Sequence, residues 1–141
     1  MSVISLDEVV RSGRAERAAV LCDLDGCLIA GDVALPGAAR FVAACGARLW
    51  IVSNNSSDTA DSLARRLATL GLAIAPERIV LAGEETLRAI AGRQPGARIA
   101  LYAALPLQVL ADDLGLVRDE EGPDMALLGR DPELTLDRLS R

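Results

Sequence analysis

The sequence predicts an α/β fold in which the strands of a parallel sheet alternate with helices. Continuous apolar runs of strand length at residues 18–25 and 48–55 are typical of strands buried on both faces. Each run is followed by a segment whose apolar residues recur with helical spacing. Glycine or proline marks the junctions between these segments. This alternation favours parallel strands joined by right-handed crossovers.

Turn and cap residues set the limits of the predicted elements. The capping box SLDE at residues 5–8 predicts a short leading helix. Pro36 and Gly46 bound the helix after the first strand, because proline suits the first helical position and glycine follows the last. Ser57 or Asp58 caps the helix after the second strand. The remaining predicted elements are a strand at 78–82, a helix at 83–92, a strand at 98–103, a helix at 106–115, a strand at 124–129 and a helix from Asp131.

The composition limits the class of protein. The chain has 141 residues, of which 51% are hydrophobic and 25% charged, and this suits one core, alone or with a small appendage. The net charge of -5 and the lack of a basic run argue against nucleic acid or an anionic membrane surface as a partner. All 15 basic residues are arginine, so the chain contains no lysine.

The cysteines and the terminal segment indicate the compartment. No apolar stretch reaches the length of a membrane span, and the polar N-terminus does not resemble a signal peptide. The three cysteines, Cys22, Cys27 and Cys45, lack metal-ligand spacing and are interpreted as free thiols. These features together predict a cytoplasmic protein.

Two aspartates at the end of the first strand are the leading candidates for chemistry. Asp23 and Asp25 are two residues apart, so in an extended chain their side chains point the same way. They precede Gly26 at the carboxyl end of the strand, the edge where open α/β sheets bind ligands. Two neighbouring carboxylates repel each other unless a cation or a shared proton compensates, and Mg²⁺ prefers oxygen ligands. We therefore expect a Mg²⁺ site where one carboxylate attacks an electrophile and the other transfers protons.

The segment DLDGCL at residues 23–28 resembles the first motif of the haloacid dehalogenase superfamily, whose members are mostly Mg²⁺-dependent phosphatases. The resemblance implies that Asp23 is the nucleophile that becomes an aspartyl-phosphate and that Asp25 is the general acid and base. It also implies that the metal contacts the Asp23 carboxylate and the Asp25 backbone carbonyl. Gly26 then permits the turn that brings backbone amides near the phosphoryl oxygens.

The segment IVSNNS at residues 51–56 resembles the second motif of the same superfamily. In that motif a serine or threonine ends the second strand and binds the transferring phosphoryl group. The resemblance gives this role to Ser53 and implies that Asn54 orients the nucleophile or the substrate. Taken alone, these residues would more simply form a loop with helix-capping side chains. Their position at the end of the strand after DLDG favours the functional interpretation.

The resemblance narrows to the p-nitrophenylphosphatase-like branch of sugar-phosphate and nucleotide phosphatases and extends over about residues 17–141. It is carried by DGCLIAGDVALPGAARFV, SNNSSDTADSLARRLATLGL, ERIVLAGEETL and GPDMALLGRD. In that branch an α/β cap is inserted after the second motif. Residues 1–95 would then be the N-terminal part of a partial Rossmann-like, haloacid dehalogenase-like core, and residues 96–141 the first part of the cap. The implied substrate is a small phosphorylated metabolite.

Two further motifs of the family are missing from the chain. The third supplies a lysine, sometimes an arginine, that neutralises the phosphate, and the fourth supplies aspartates that complete the Mg²⁺ site. The segment around Asp131 superficially resembles the fourth motif, but its spacing fits a cap strand followed by a helix N-cap. Asp112 and Asp113 lie on a helical pattern and are interpreted as a solvated face. We therefore expect a piece of a longer enzyme, or a chain completed by self-association or by a second chain.

Three other functions are compatible with an acidic pair at a strand end. The first is a catalytically incomplete relic that binds Mg²⁺, phosphate or a partner. The second is a receiver-like phosphoacceptor domain, which is disfavoured because the later strands end in SNN and LAG rather than in an aspartate. The third is a dinucleotide-binding fold, which is disfavoured because DLDGCLIAG lacks the GxGxxG turn.

Overall fold

The computed structural model describes residues 5–13 and 19–136. The chain divides into two compact units, of which the first comprises Met1–Ser53 and Ala60–Val80. The second unit comprises Asn54–Thr59 and Leu81–Arg141. This division by packing differs from the expected domains 1–95 and 96–141, which stay a prediction about the family's domain plan.

The first unit contains most of the elements expected before residue 80. They are α1 (Leu6–Arg11), β1 (Val20–Cys22), β2 (Ile29–Ala30), β3 (Val33–Ala34), α2 (Ala38–Cys45), β4 (Leu49–Ser53), α3 (Ala60–Thr69) and β5 (Ile79–Leu81). Short 3-10 turns at Gly46–Arg48 and Pro76–Arg78 lead into β4 and β5. The capping box before α1 is confirmed, because Ser5 Oγ accepts the Glu8 amide while the Glu8 carboxylate accepts the Ser5 amide.

A three-stranded sheet in the order β1-β4-β5 organises the first unit. β1 and β4 are parallel, with Val20 opposite Leu49 and Cys22 opposite Ile51. Burial alternates along β4, where Ile51 is fully buried and its neighbour Val52 is 45% exposed. The helices bury the apolar faces that the sequence predicts, with Phe41 in α2 and Leu63 in α3 among the core residues.

The structure corrects the extent of the first strand and one helix cap. Residues 23–25, predicted as strand, lie outside β1, because the Leu24 carbonyl accepts amides from the turn that follows it. α3 begins at Ala60, so the predicted caps Ser57 and Asp58 are wrong by one or two residues. The hairpin β2–β3 was not predicted, although its two-residue Gly31-Asp32 turn is a recognised hairpin signal.

The second unit contains α4 (Ala82–Arg93), β6 (Arg98–Tyr102), α5 (Leu105–Asp113), β7 (Val117–Arg118) and β8 (Met125–Leu128). Its sheet has the order β7-β6-β8, and β6 is parallel to both neighbours. Leu87 of α4 and Leu107 of α5 are fully buried in one cluster with Ile99 of β6. The predicted parallel α/β architecture is thus confirmed in both units, while the two-residue strand β7 was missed.

Two acidic residues outside the proposed centre, Asp112 and Asp131, have local structural roles. Asp112 is exposed and pairs with Arg118, its Oδ1 lying 2.9 Å from Arg118 Nε. Asp131 Oδ1 accepts the amide of Glu133 in a turn, as a cap residue would. The helix predicted from Asp131 is wrong at its start, because residues 131–135 form a turn and an irregular segment, and helical structure is found only at Leu136. The rest of that predicted helix, residues 137–141, lies outside the described residues. In the part of the chain that is described, every helix is too short or too polar to cross a membrane.

An ion pair joins the start of β6 to the loop after β7 in the second unit. Arg98 Nε and Nη2 donate to Asp119 Oδ2 at 3.0 and 2.5 Å. The other carboxylate oxygen accepts the amides of Glu121 and Gly122. The hydrogen bond from Arg98 contributes most to lowering the pKa of Asp119 to about 2, and these two amides lower it further. The carboxylate therefore stabilises the fold in its ionised form.

We expect this stabilisation to disappear in acid. Because the folded pKa lies below the ordinary value of 3.8, the contribution is present above that pH and is lost as the pH falls towards 2. At neutral pH the wild-type protein should therefore unfold at a higher urea concentration than the Asp119→Asn variant. The difference between the two urea midpoints should shrink below pH 3.8. Asp113→Asn is the matched control, because Asp113 is exposed on α5. A pH-independent difference would contradict the assignment.

Candidate active site

The carboxyl ends of β1 and β4 form one edge of the first sheet. The register that places Cys22 opposite Ile51 brings Asp23, just after β1, and Ser53, the last residue of β4, to this edge. Asp23 and Asp25 are exposed, while Ser53 is 5% exposed. Asp23 and Ser53 therefore lie at the edge where these parallel strands end, and Asp25 follows in the turn after β1.

The Asp23 carboxylate is held by the backbone of its neighbour. Its Oδ1 accepts the Leu24 amide at 2.8 Å, and Leu24 is fully buried. The buried Leu24 side chain and the hydrogen bond from the Leu24 amide hold the Asp23 carboxylate in place, although Asp23 itself is exposed to solvent. Within the described residues, Asp23 Oδ2 and both oxygens of Asp25 form no hydrogen bond or ion pair. Two unneutralised carboxylates are thus available to a cation or a reacting group.

A tight turn follows the two aspartates. The Leu24 carbonyl accepts the amides of Cys27, Leu28 and Ile29 at 2.9–3.2 Å. Gly26 has φ 78°, a left-handed conformation that glycine adopts without a steric penalty. Its amide donates to the Ile29 carbonyl at 2.8 Å, so it already has an acceptor in the turn. Phosphate binding at Gly26 stays a prediction, whereas its turn-forming role is explained by this backbone geometry.

Asn54 begins the segment that belongs to the second unit. In that segment the Asn55 side-chain carbonyl accepts the amides of Ser57 and Asp58, which makes an Asx turn. The Gly83 amide donates to the Asn55 carbonyl, and the Arg130 amide donates to Ser56 Oγ at 3.0 Å. The segment after Ser53 is therefore tied to the start of α4 and to the end of β8.

Close packing around Ser56 was not predicted from the sequence. A Cβ on Gly83 would lie 3.0 Å from Ser56 Cα, and one on Gly129 would lie 3.0 Å from the Ser56 carbonyl oxygen. Asn54 and Ser56 also line a cavity of about 240 Å³ in the second unit. The glycines in LAGEE and LLGRD could have indicated that another backbone segment packs closely there. A single sequence does not reveal which distant segment that is.

The acidic edge offers a small number of ligands for a metal ion. Residues 5–13 and 19–136 contain no group of three or more His, Cys, Asp or Glu side chains arranged to hold one. Mg²⁺ commonly binds through one or two carboxylates and keeps several waters. The open, unpaired oxygens of Asp23 and Asp25 fit such a hydrated ion, with further ligands coming from outside this pair.

The thiols of Cys22 and Cys45 are not poised as nucleophiles. Burial is the largest cause, and the nearby Cys27 thiol a smaller one, of a Cys22 pKa that is raised to about 11. Burial likewise raises the pKa of Cys45. All three cysteines are free, and Cys22 Sγ donates to the Asp23 carbonyl at 3.1 Å. Since the thiolate is the reactive form, Cys22 and Cys45 are inert at neutral pH.

Alkylation should therefore distinguish the three thiols. At neutral pH we expect iodoacetamide to modify Cys27, which is exposed, well before Cys22 or Cys45. Replacing Cys27 with serine should lower the initial labelling rate of the folded protein at least about tenfold. Peptide mass spectrometry locates the label, and urea-unfolded protein serves as the control in which all three react. Equal rates for Cys22 and Cys27 in the folded protein would contradict the burial argument.

Comparison with known proteins identifies the family. A model of haloacid dehalogenase-like hydrolases matches residues 20–117, which is more than half of the chain. This chain belongs to the haloacid dehalogenase-like hydrolase family. The predicted resemblance is thereby confirmed. The family match includes both predicted motifs, because Asp23 and Ser53 lie inside the matched region.

Similar proteins are named phosphatases and are about twice as long. An acid sugar phosphatase of Staphylococcus saprophyticus is 30% identical over 126 residues, covering 86% of this chain and 49% of its own. The crystal structure of a 4-nitrophenylphosphatase from Thermotoga maritima has a TM-score of 0.76 and 30% sequence identity to this chain. The match covers 89% of this chain and 50% of that protein. This chain therefore spans about half the length of the curated relatives it matches.

A third similar protein has been solved with metal ions. The glycerol phosphate phosphatase of Mycobacterium tuberculosis, in a complex with magnesium, has a TM-score of 0.76 at 26% identity. The match covers 99% of this chain and 41% of that protein. The same phosphatase has also been solved with calcium. That phosphatase has thus been solved with two different divalent cations, magnesium and calcium.

Proposed function

We propose that this chain carries the nucleophile-bearing part of a Mg²⁺-dependent phosphatase that hydrolyses small phosphomonoesters through an aspartyl-phosphate. The observation that supports this most is the carboxylate of Asp23, fixed through Oδ1 and open at Oδ2, on the same sheet edge as Ser53. The names of the related phosphatases support the reaction class. The proposed substrate is a small phosphorylated metabolite.

Asp23 attacks the phosphorus atom. Its Oδ1 accepts the Leu24 amide, so Oδ2 is the oxygen left for attack. A bond forms between Oδ2 and phosphorus while the bond from phosphorus to the ester oxygen breaks. The product of this step is an acyl phosphate on Asp23 and a free leaving group.

Asp25 transfers the protons of both steps. In its protonated form it gives a proton to the departing ester oxygen, and the carboxylate that results then takes a proton from a water molecule. That water attacks phosphorus, which releases inorganic phosphate and restores the Asp23 carboxylate. The exposure of Asp25 and its lack of a partner among the described residues suit a group that exchanges protons with solvent.

Ser53, Gly26 and Asn54 are proposed to bind and orient the phosphoryl group. Ser53 contributes a hydroxyl from the end of β4, Gly26 shapes the turn, and Asn54 contributes an amide from the next residue along the chain. The Asp23 carboxylate and the Asp25 backbone carbonyl would hold the metal. Bound Mg²⁺ would neutralise the charge of the carboxylates and of the phosphoryl oxygens.

A second candidate function is a binding module that has lost phosphatase activity but still binds Mg²⁺, phosphate or a partner protein. It is favoured by the absence of lysine from the 141 residues. Phosphoryl transfer depends on neutralising the negative charge of the phosphoryl group. A site without the cationic side chain and part of the Mg²⁺ ligands therefore catalyses it much more slowly. We also propose that the site is completed by the rest of a longer chain, by self-association or by a second chain, and that the protein acts in the cytoplasm without nucleic acid or membrane partners.

Hydrolysis of p-nitrophenyl phosphate tests the proposal. We expect a Mg²⁺-dependent rate that EDTA abolishes and that Asp23→Asn lowers at least about 1,000-fold, because the amide cannot form the acyl phosphate. Asp32→Asn is the matched control, since Asp32 is an exposed partner of Arg66 and should leave the rate unchanged. A wild-type rate in Asp23→Asn would refute the proposal. A folded chain that binds Mg²⁺ through Asp23 without hydrolysis would support the binding module.

A further inference from the structure

An open groove runs along one side of α4 in the second unit. It has a volume of about 560 Å³, and its apolar wall is formed by Ala82, Ala89 and Ile90 of α4 and by Met125 of β8. The Thr86 hydroxyl, which also lines it, donates to the Ala82 carbonyl at 2.7 Å and is therefore satisfied within the helix. The groove thus presents an apolar surface to solvent.

Opposite charges flank this apolar wall. Glu85 lies in the first turn of α4 and Arg93 in the last, and both line the groove. Neither side chain forms an ion pair or a hydrogen bond with the described residues. Glu84 and Arg88 on the same helix, by contrast, pair with each other at 2.6 Å. The two charges that border the groove are therefore both available to a partner.

The spacing of these charges is self-complementary. Glu85 and Arg93 are eight residues apart, which is about 12 Å along a helix, and Ala89 is their midpoint. If two copies of α4 cross antiparallel about a two-fold axis at Ala89, Glu85 of each copy lies opposite Arg93 of the other. The small side chain at the crossing point permits the close approach of two helices. A two-fold interface requires this kind of self-complementary surface.

We propose that the α4 groove is an interface between two copies of this chain. Burial of Ala82, Ile90 and Met125 supplies the attraction, and methionine adapts its shape to the facing helix. The two Glu85–Arg93 pairs fix the antiparallel register, because the parallel arrangement would place like charges together. Since these pairs lie at the rim, association weakens as salt concentration rises. This interface is independent of the proposed phosphatase chemistry.

Charge reversal tests the interface through the mass of the particle in solution, measured by light scattering during gel filtration. Wild type should run at twice the monomer mass of 14.8 kDa, with a dimer fraction that falls on dilution or at high salt. Glu85→Arg and Arg93→Glu should each be monomeric, because each places like charges opposite each other. An equimolar mixture of the two variants should recover the dimer, since the mixed pair has complementary charges on both sides.

The double variant Glu85→Arg/Arg93→Glu should also be dimeric, because exchanging both residues restores the pairing. Asp113→Arg and Arg65→Glu are matched controls on exposed positions of α5 and α3 and should dimerise like wild type. Circular dichroism checks that each variant is folded. A wild-type chain that stays monomeric at high concentration would overturn the proposal. Single variants that dimerise like wild type, or a mixture that stays monomeric, would overturn it as well.

Discussion

Replacing Asp25 with asparagine is expected to leave the phosphoryl group on Asp23. The leaving group p-nitrophenolate is a stable anion that departs without a proton, so the first step needs no general acid. The second step needs a base to activate water, and asparagine cannot accept that proton. Steady-state hydrolysis should therefore fall at least about 100-fold while one p-nitrophenolate per active chain is still released in a burst.

The leaving group supplies the control for this interpretation. An alkyl phosphate, whose alkoxide must be protonated, should give no burst with Asp25→Asn, because both steps then need Asp25. Asp32→Asn, exposed on the β2–β3 hairpin, should behave like wild type with both substrates. Equal loss of burst and turnover with p-nitrophenyl phosphate would contradict the assignment of Asp25 to proton transfer.

Replacing Ile51 with alanine is expected to destabilise the first unit by about 2 to 5 kcal/mol. Ile51 is fully buried at the middle of β4, and β4 is the central strand of the β1-β4-β5 sheet. The substitution removes apolar contacts and leaves a cavity that neighbouring side chains fill only partly. Because Ile51 lies opposite Cys22 in the register, the loss also loosens the strand that precedes Asp23.

Val52→Ala is the matched substitution on the same strand. Val52 is 45% exposed on the opposite face, so its truncation should cost less than about 1 kcal/mol. Denaturant unfolding followed by the fluorescence of Trp50 measures both variants, because Trp50 lies on the same strand next to Ile51. Equal destabilisation by the two substitutions would contradict the burial pattern of β4.

The sequence predicted most of the fold because its signals were local. Residues close together in the sequence specify each element. A continuous apolar run that ends at Ser53 indicates the strand β4, and the four-residue spacing of Leu63 and Leu67 indicates the helix α3. The first strand was overestimated because apolarity does not show where a chain begins to turn. The carbonyl of Leu24, which accepts three amides, sets that limit.

Part of the candidate site could also be anticipated. Asp23 and Ser53 follow from their positions at the ends of neighbouring strands, and the register of β1 and β4 brings them to one edge. The close packing of Gly83 and Gly129 around Ser56 could not be anticipated, because it joins segments far apart in sequence. The amide of Gly26 illustrates a further limit, since a glycine predicts a turn but not the acceptor of its own amide.

The central claim, that Asp23 is a nucleophile, is tested most directly by locating a trapped phosphoryl group. The Asp25→Asn chain is mixed with Mg²⁺ and p-nitrophenyl phosphate and quenched in acid. Borohydride then reduces any acyl phosphate to an alcohol, so peptide mass spectrometry identifies the modified aspartate as homoserine. The account predicts homoserine at position 23 and none when Asp23 is replaced by asparagine. Release of p-nitrophenolate without this modification, or modification of another residue, would contradict it.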